Sequence, residues 1–570
     1  MIEFHVSPTG HDATSGTADR PFATLERARR AAREATGDVV VHLRTGTHVL
    51  TEPFELTEDD SGGDGHRIVY QAFGYGTDAR EEVVISGGRE VTGHRTAEGV
   101  WLAEVGDLVT RHLAVNGRRA ERAGVDGLPG DVRRTPTGYV TDHPLDWRNA
   151  AGVEFVHRGV YPWTEARLAV AEVTREGDET VITMARPAFD RALDLYNAEW
   201  YGQVTAGPPA PTRVENDPAL LTEPGTFALD RSRPGGHVLH YLPRQDEDPH
   251  VVVPALEVLV HATGTRNVTF RGLTFADTTW LRPGSDDGFP HYHGNGYYDG
   301  GPIEKIEMGE GAWLTAPSGQ EQVPACVRLD GTTGMRFEGC RFTRLGATGL
   351  GATGGADLVV RGCDFDTLAA SAVAVTGSRA VLIEDNLIAH VGLDHSGSPG
   401  VTVLGTEDCT ITHNHVHDVP HNGIVAGPGR STRITHNLVI GAMGVLADGG
   451  GIYLSGPQGD ADNRSVISGN VIEDVRTPYN FGLYTDYGAS WVTVEENVVA
   501  RADNTSVLHV SPPLEHVVYR GNFWDADPVG GDAVPAGVTY EGNTTIVDAA
   551  ALDAATADIR ARAGLLTERV

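Results

Sequence analysis

Between Ala380 and Asn543 one short phrase keeps returning: LIEDNLI, TITHNHV, RITHNLV, VISGNVI, TVEENVV, VYRGNFW and TYEGNTT. Its central asparagine falls at Asn386, Asn414, Asn437, Asn470, Asn497, Asn522 and Asn543, at intervals of 28, 23, 33, 27, 25 and 21 residues. Upstream, RFEGCRF and VVRGCDF put Cys340 and Cys363 in the same slot, and TFRGLTF puts Leu273 there. Each unit is too short for a βαβ crossover and carries no helical run, which excludes a TIM barrel or a Rossmann sheet. Alternating apolar residues around one polar residue, at a period of this length, describe one turn of a solenoid. Short strands point β-branched residues inward onto those of the next coil, roughly 4.8 Å away. The asparagines then form a ladder, because a buried amide is tolerated only where its hydrogen bonds are satisfied. The variable interval fits too, since strands are fixed while turns accept insertions. These features predict an all-β chain folded as a right-handed parallel β-helix.

Taken in order, the strand at Phe4 and a Gly-rich turn lead into ATLERARRAAREA, an amphipathic helix suited to capping the open apolar end of the first coil. DVVVHLRTGTHVL, IVYQAF and VVISGG supply the first coils, so 1–92 reads as helix cap and opening coils. From 93 to 250 the ladder phrase is absent and strands alternate with Pro-rich turns, which predicts an inserted β-sandwich-like domain. The main solenoid is expected over 251–546, and the Ala-rich 547–570 reads as a terminal helix. A long excursion from Leu281 to Val323 interrupts the solenoid. Trp280 before it, and His291 and Tyr292 within it, are candidates to stack on sugar rings; covering an apolar flank would use the same residues.

Charge narrows the partners. The formal net charge is −33, and Lys305 is the only lysine. Phosphate backbones and anionic membranes need a basic surface, so nucleic acid and membrane are not expected as partners, and a polyanionic glycan fits poorly. No apolar run approaches membrane-spanning length. The opening MIEFHVSPTG has no basic and apolar leader pattern, which points to the cytoplasm unless a leader has been removed. The four cysteines, Cys326, Cys340, Cys363 and Cys409, show no zinc spacing; Cys340 and Cys363 should stack as free thiols filling ladder slots.

After the ladder phrases come Gly-containing strands: HNGIVAG, DGGGIYLSG and FGLYTDYG. Asp448 precedes one Gly triplet, and Asp486 follows GLYT. Paired carboxylates are the minimum equipment for glycoside cleavage, one as acid and one as base or nucleophile, though Asp beside Gly is also a common turn. Tyr453 and Tyr484 share the pattern Gly-[Ile/Leu]-Tyr and should stack on adjacent coils, as a sugar platform if they face out and as core if they face in. The run HNHVHDVPHNG could present a metal-ligand face, but inter-coil hydrogen bonds or solvated positions are the favoured reading, and no metal or other cofactor is expected. His421, at its end, is a candidate substrate contact. Asp418, Asp474 and His390 share one place in the repeat, which suits a turn role.

FHVSPTGHDATSGTADRPFATLERAR, VTFRGLTF, LAVNGRRAERA, WRNAAGVEFVHRGVYPWTEAR and the pair DGGGIY…GLYTDYGAS resemble the β-helix enzymes of glycoside hydrolase family 141. Related β-helix xylosidases carry an inserted β-sandwich. The resemblance spans most of the chain and implies α-L-fucosidase- or xylanase-like chemistry on a carbohydrate, with an Asp pair that carries over to Asp448 and Asp486. One feature resists this. If Gly451 and Gly482 stack, seven strand positions separate the two acids, about 23 Å fully extended, so the Gly triplet must bend the chain back. Otherwise Asp448 would work with Asp418, His421 or Asp474, or Asp486 with Glu407, Asp460 or Asp462. An exo-acting glycoside hydrolase is the leading expectation. A polysaccharide lyase or uronate epimerase, or a non-catalytic carbohydrate-binding solenoid, are the alternatives, and fold alone does not separate them.

Overall fold

The computed structural model describes residues 1–63, 65–291, 296–309, 311–319 and 321–566. Tyr292 therefore lies outside the described residues. The chain divides into two compact units: residues 1–87, 258–276 and 324–570, and residues 88–257 with 277–323.

The first unit is the right-handed parallel β-helix. Each coil contributes three short strands, and every strand pairs in parallel with its counterpart one coil away. In one coil these are Val401–Leu404, Glu407–Thr412 and His415–His417, followed by a connection back to Ile424–Ala426. We call their stacks the first, second and third faces. Inside, like residues sit on like: the Tyr70, Phe270 and Phe337 rings stack with centroids 5.5 and 5.2 Å apart, and Phe342 lies on Phe365 at 4.5 Å.

The ladder runs through the turn between the second and third faces. From Asn386 to Asn543 each amide Nδ2 donates to Oδ1 of the next asparagine at 2.8–3.0 Å, and the same oxygen accepts the backbone N–H of the preceding one. Asn386 to Asn522 are fully buried. Cys363 continues the row, its N–H donating to Asn386 Oδ1 at 2.9 Å, and all four cysteines are free and buried.

At the first corner the repeated glycines have a packing reason. A Cβ on Gly423, Gly451 or Gly482 would come within 2.6, 2.4 or 2.2 Å of Val439, Ile472 or Val499 on the third face. The Gly of each Gly-[Ile/Leu]-Tyr phrase therefore turns the corner close against the third face, the Ile452 or Leu483 after it is core, and the tyrosine next to that faces out, as alternation requires.

The N-terminal helix Leu25–Arg33 is capped by Thr24, whose side chain accepts from Arg27 N, and buries Leu25, Ala28, Ala31 and Ala32. The C-terminal helices Ala549–Ala555 and Ala557–Arg560 run back along the outside of the third face. Ile559 packs with Val471 and Val498, Arg560 pairs with Glu473, and Leu566 N donates to Asp385. No helix among the described residues is long and apolar enough to cross a membrane.

The second unit is also all-β, with sheets of eight, seven, four and three strands joined mostly by antiparallel pairs. Its boundaries differ from the expected 93–250, because the excursion after Leu281 belongs to it: Ala312–Pro317 pairs with Asn197–Trp200. One core gathers Tyr139, Phe155, Phe189 and Tyr196, and another Trp101, Leu113, Phe227 and Tyr241. Three arginines, Arg111, Arg122 and Arg167, are buried with Glu154, Glu165 and Glu215, and these cations hold Glu154 down to about 2 against the cost of its burial.

Candidate active site on the first face

Strands Gly450–Pro457 and Phe481–Glu495 lie side by side on the first face, with Gly450 opposite Phe481, Tyr453 opposite Tyr484 and Ser455 opposite Asp486. Gly451 and Gly482 do stack, so the register is the one that seemed to keep the acids apart. The separation is removed at the ends. Asp448 has φ +60° and Tyr479 opposite it φ +62°, so both leave the strand line; Asp448 N donates to Tyr479 O at 3.3 Å. The tyrosines then cross: Tyr484 Oη donates to Asp448 Oδ1 at 2.9 Å, and Tyr453 Oη donates to Asp486 Oδ2 at 2.9 Å.

The nearby Tyr484 hydroxyl also lowers the Asp486 pKa, and the Asp486 charge pushes the Asp448 pKa up, so the two carboxyls lie within electrostatic reach of each other. Both carboxyls are half-buried. Burial first, then the Asp486 charge, lifts Asp448 to about 6 against the lowering effect of the Tyr484 hydroxyl. Burial also raises Asp486, opposed by the donors Tyr453, Tyr487 N–H and Tyr484. Among the described residues no arginine or lysine figures among the groups shifting either carboxyl.

Behind Asp448 sits a buried polar support. Asn422 Oδ1 accepts Gly450 N–H at 2.7 Å, which leaves its Nδ2 as the donor toward His421 Nδ1 at 3.0 Å. His421 is fully buried, so it acts on the segment after Asp448 through Asn422 and is walled off from any substrate. Sequence reasoning passed over Asn422; its only signal was a position just before the Gly-Ile pair.

The other expected residues fall as follows. Tyr453 and Tyr484 are 6% and 7% exposed, their rings meet edge-on at 86°, and with Phe481 they form a small apolar cluster. They lay no flat platform; their hydroxyls hold carboxylates instead. Trp280 and His291 lie in the second unit and are buried: Trp280 packs its edge on Tyr297, and His291 Nδ1 meets Tyr196 Oη at 2.6 Å. The alternative partners of the two acids are engaged elsewhere. Asp418 pairs with Arg476 and His417, Asp474 with Arg501 and Glu407 with Arg430, while Asp460 ties its own turn through Asn463. His390, Asp418 and Asp474 share positive φ of 47–56°, a common left-handed turn position. His413 stacks on His436 from the next coil at 5.1 Å. Among the described residues no group of three or more His, Cys, Asp or Glu is set to hold a metal ion.

The fold and a family model together define the class, a right-handed parallel β-helix protein. The model described as "Right handed beta helix region" matches residues 321–459. Among solved structures, one described as "Glycoside hydrolase" is 23% identical over 99% of both chains, with a TM-score of 0.74. "The complex structure of XylC with xylose" is 14% identical, covering 92% of this chain and 75% of that one at a TM-score of 0.49. "Rhamnogalacturonan lyase" is 10% identical, covering 95% and 88% at 0.36. At these identities the likeness is one of fold. No curated protein matches the chain.

Proposed function

We propose that this chain is a glycoside hydrolase, exo-acting on a neutral glycan, with Asp448 as general acid and Asp486 as base or nucleophile. The observation that carries this is the carboxyl pair itself: two half-buried acids on adjacent coils, each held by a tyrosine of the other's strand, with one raised to about 6. The pair's environment sets the roles. Asp448 bears the Asp486 charge on top of its own burial, so it is the group that holds its proton up to about pH 6. Asp486 accepts up to three donors, which favour its ionised form. In the reaction, Asp448 gives its proton to the glycosidic oxygen as the bond to the anomeric carbon breaks. Asp486 either attacks that carbon or takes a proton from the water that does. In the first case, water later releases the sugar and returns a proton to Asp448.

A lyase or epimerase reading is disfavoured by the same surroundings. Such chemistry needs a positive charge beside the uronate carboxylate, and among the described residues no arginine or lysine bears on either acid. The deciding experiment is a screen of aryl glycosides of fucose, xylose, arabinose and galactose, run beside a uronic-acid polymer followed for unsaturated-product absorbance. Release of the aryl group, lost in Asp486→Asn, supports the hydrolase. Absorbance gain with no glycoside release would replace it with the lyase.

A further inference from the structure

We propose that Tyr479 and Tyr487 are sugar-stacking platforms on either side of the Asp448–Asp486 pair, so that the glycan lies along the strands, across the solenoid axis. This rests on the hydrolase reading above. Among the described residues only three aromatic side chains stand exposed: Tyr201 in the second unit, and Tyr479 and Tyr487 at 58% and 47%. Both of the latter flank the carboxyl pair. Tyr479 O takes the Asp448 N–H, and Tyr487 directly follows Asp486 in the chain.

Backbone strain marks both positions. At the turn after the first face the solenoid uses glycine coil after coil: Gly264, Gly331, Gly354, Gly377, Gly405 and Gly456 all have φ of 61–67°. In the next coil, where the register slips, Tyr487 is left-handed with φ +42° just before Gly488 at φ +68°. Tyr479 is likewise left-handed at φ +62°. A bulky residue held there costs stability that a glycine would not. An exposed ring kept at such a cost, beside an acid on both counts, points to a ligand-facing surface. The chemistry assigns the sides. The acid Asp448 sits under the departing oxygen, so Tyr479 carries the leaving-group sugar. Asp486 faces the anomeric carbon, so Tyr487 carries the sugar that is cleaved off.

The test compares Tyr479→Ala, Tyr479→Phe, Tyr487→Gly and Tyr487→Phe on two substrates of the sugar identified by the screen: a linear oligosaccharide and the glycosyl fluoride, whose leaving group reaches no second platform. Tyr479→Ala should lose at least tenfold in kcat/KM on the oligosaccharide and nothing on the fluoride. Tyr487→Gly should lose on both while its thermal midpoint rises, since glycine relieves the turn. Both Phe variants should keep activity, because stacking needs the ring and not the hydroxyl. Full oligosaccharide activity in Tyr479→Ala and Tyr487→Gly, or losses in Phe as large as in Ala or Gly, would overturn the platforms while leaving the hydrolase reading intact. If the wild type cleaves none of these sugars, affinity electrophoresis of Asp448→Asn against xylan and arabinogalactan decides. Retardation that disappears with Tyr479→Ala supports the platforms, and no retardation by either polymer overturns them.

Discussion

The Tyr484 hydroxyl donates to Asp448 at 2.9 Å from the strand that carries Asp486, while Tyr453, on the strand that follows Asp448, donates to Asp486 at the same distance. Each acid is thus held by the coil of the other, and each donor lowers its acceptor's pKa. Removing them should move the pH profile in readable ways. Tyr453→Phe takes a donor from Asp486 and should shift the acidic limb of kcat/KM toward neutral pH, narrowing the profile. Tyr484→Phe should raise the alkaline limb, because Asp448 would hold its proton longer, and move the acidic limb in the same direction, because Tyr484 also lowers Asp486. A merely structural role would lower activity without moving either limb.

The acids themselves should separate by substrate. Asp486→Asn removes the base or nucleophile and should cost at least about a hundredfold with any leaving group. Asp448→Asn should cost as much on an oligosaccharide, yet far less on a glycosyl fluoride, whose departure needs no proton. Equal losses of Asp448→Asn on both substrates would count against its role as acid.

Much of this arrangement was legible beforehand, and the illegible part has a physical cause. An asparagine ladder writes its period into the chain, because every coil must supply an amide to satisfy the next one. Asp448 and Asp486 stood out by type and place. Their meeting did not, because register arithmetic treats strands as straight, and the left-handed bends at Asp448 and Tyr479 break that assumption. The tyrosines' place was legible but not their pose, since alternation tells that Tyr453 faces outward and not that its ring stands on edge. Trp280 and His291 looked like a glycan surface because aromatic clusters serve cores and platforms alike; their burial in the second unit is a tertiary fact.

The ladder predicts a graded cost. Asn437→Leu would strip the acceptor from Asn414 Nδ2 and N–H and the donor from Ile411 O, all buried. Stranded polar groups cost roughly 1–3 kcal/mol each, so a loss of a few kcal/mol is expected. Asn543 ends the row and is half-buried, so Asn543→Leu should cost markedly less. Denaturant unfolding of both variants checks the order.

Asp448 should also trade stability for function. Its folded pKa, raised to about 6 from an ordinary 3.8, means the folded state binds the proton more tightly than the unfolded chain does. Stability from this group is therefore fully present below about pH 4 and is lost as pH rises through 6. At pH 8 the buried carboxylate is a net cost, on the order of 1–3 kcal/mol for a shift of about two units. Asp448→Asn keeps the volume and can still accept from Tyr484, but it never ionises. Its thermal midpoint should exceed that of the wild type at pH 8, and the gap should narrow as pH falls through 6 and close below about pH 4. Midpoints that differ equally at both pH values would show that Asp448 is not the raised acid, and with it the assignment of the proton donor would fall.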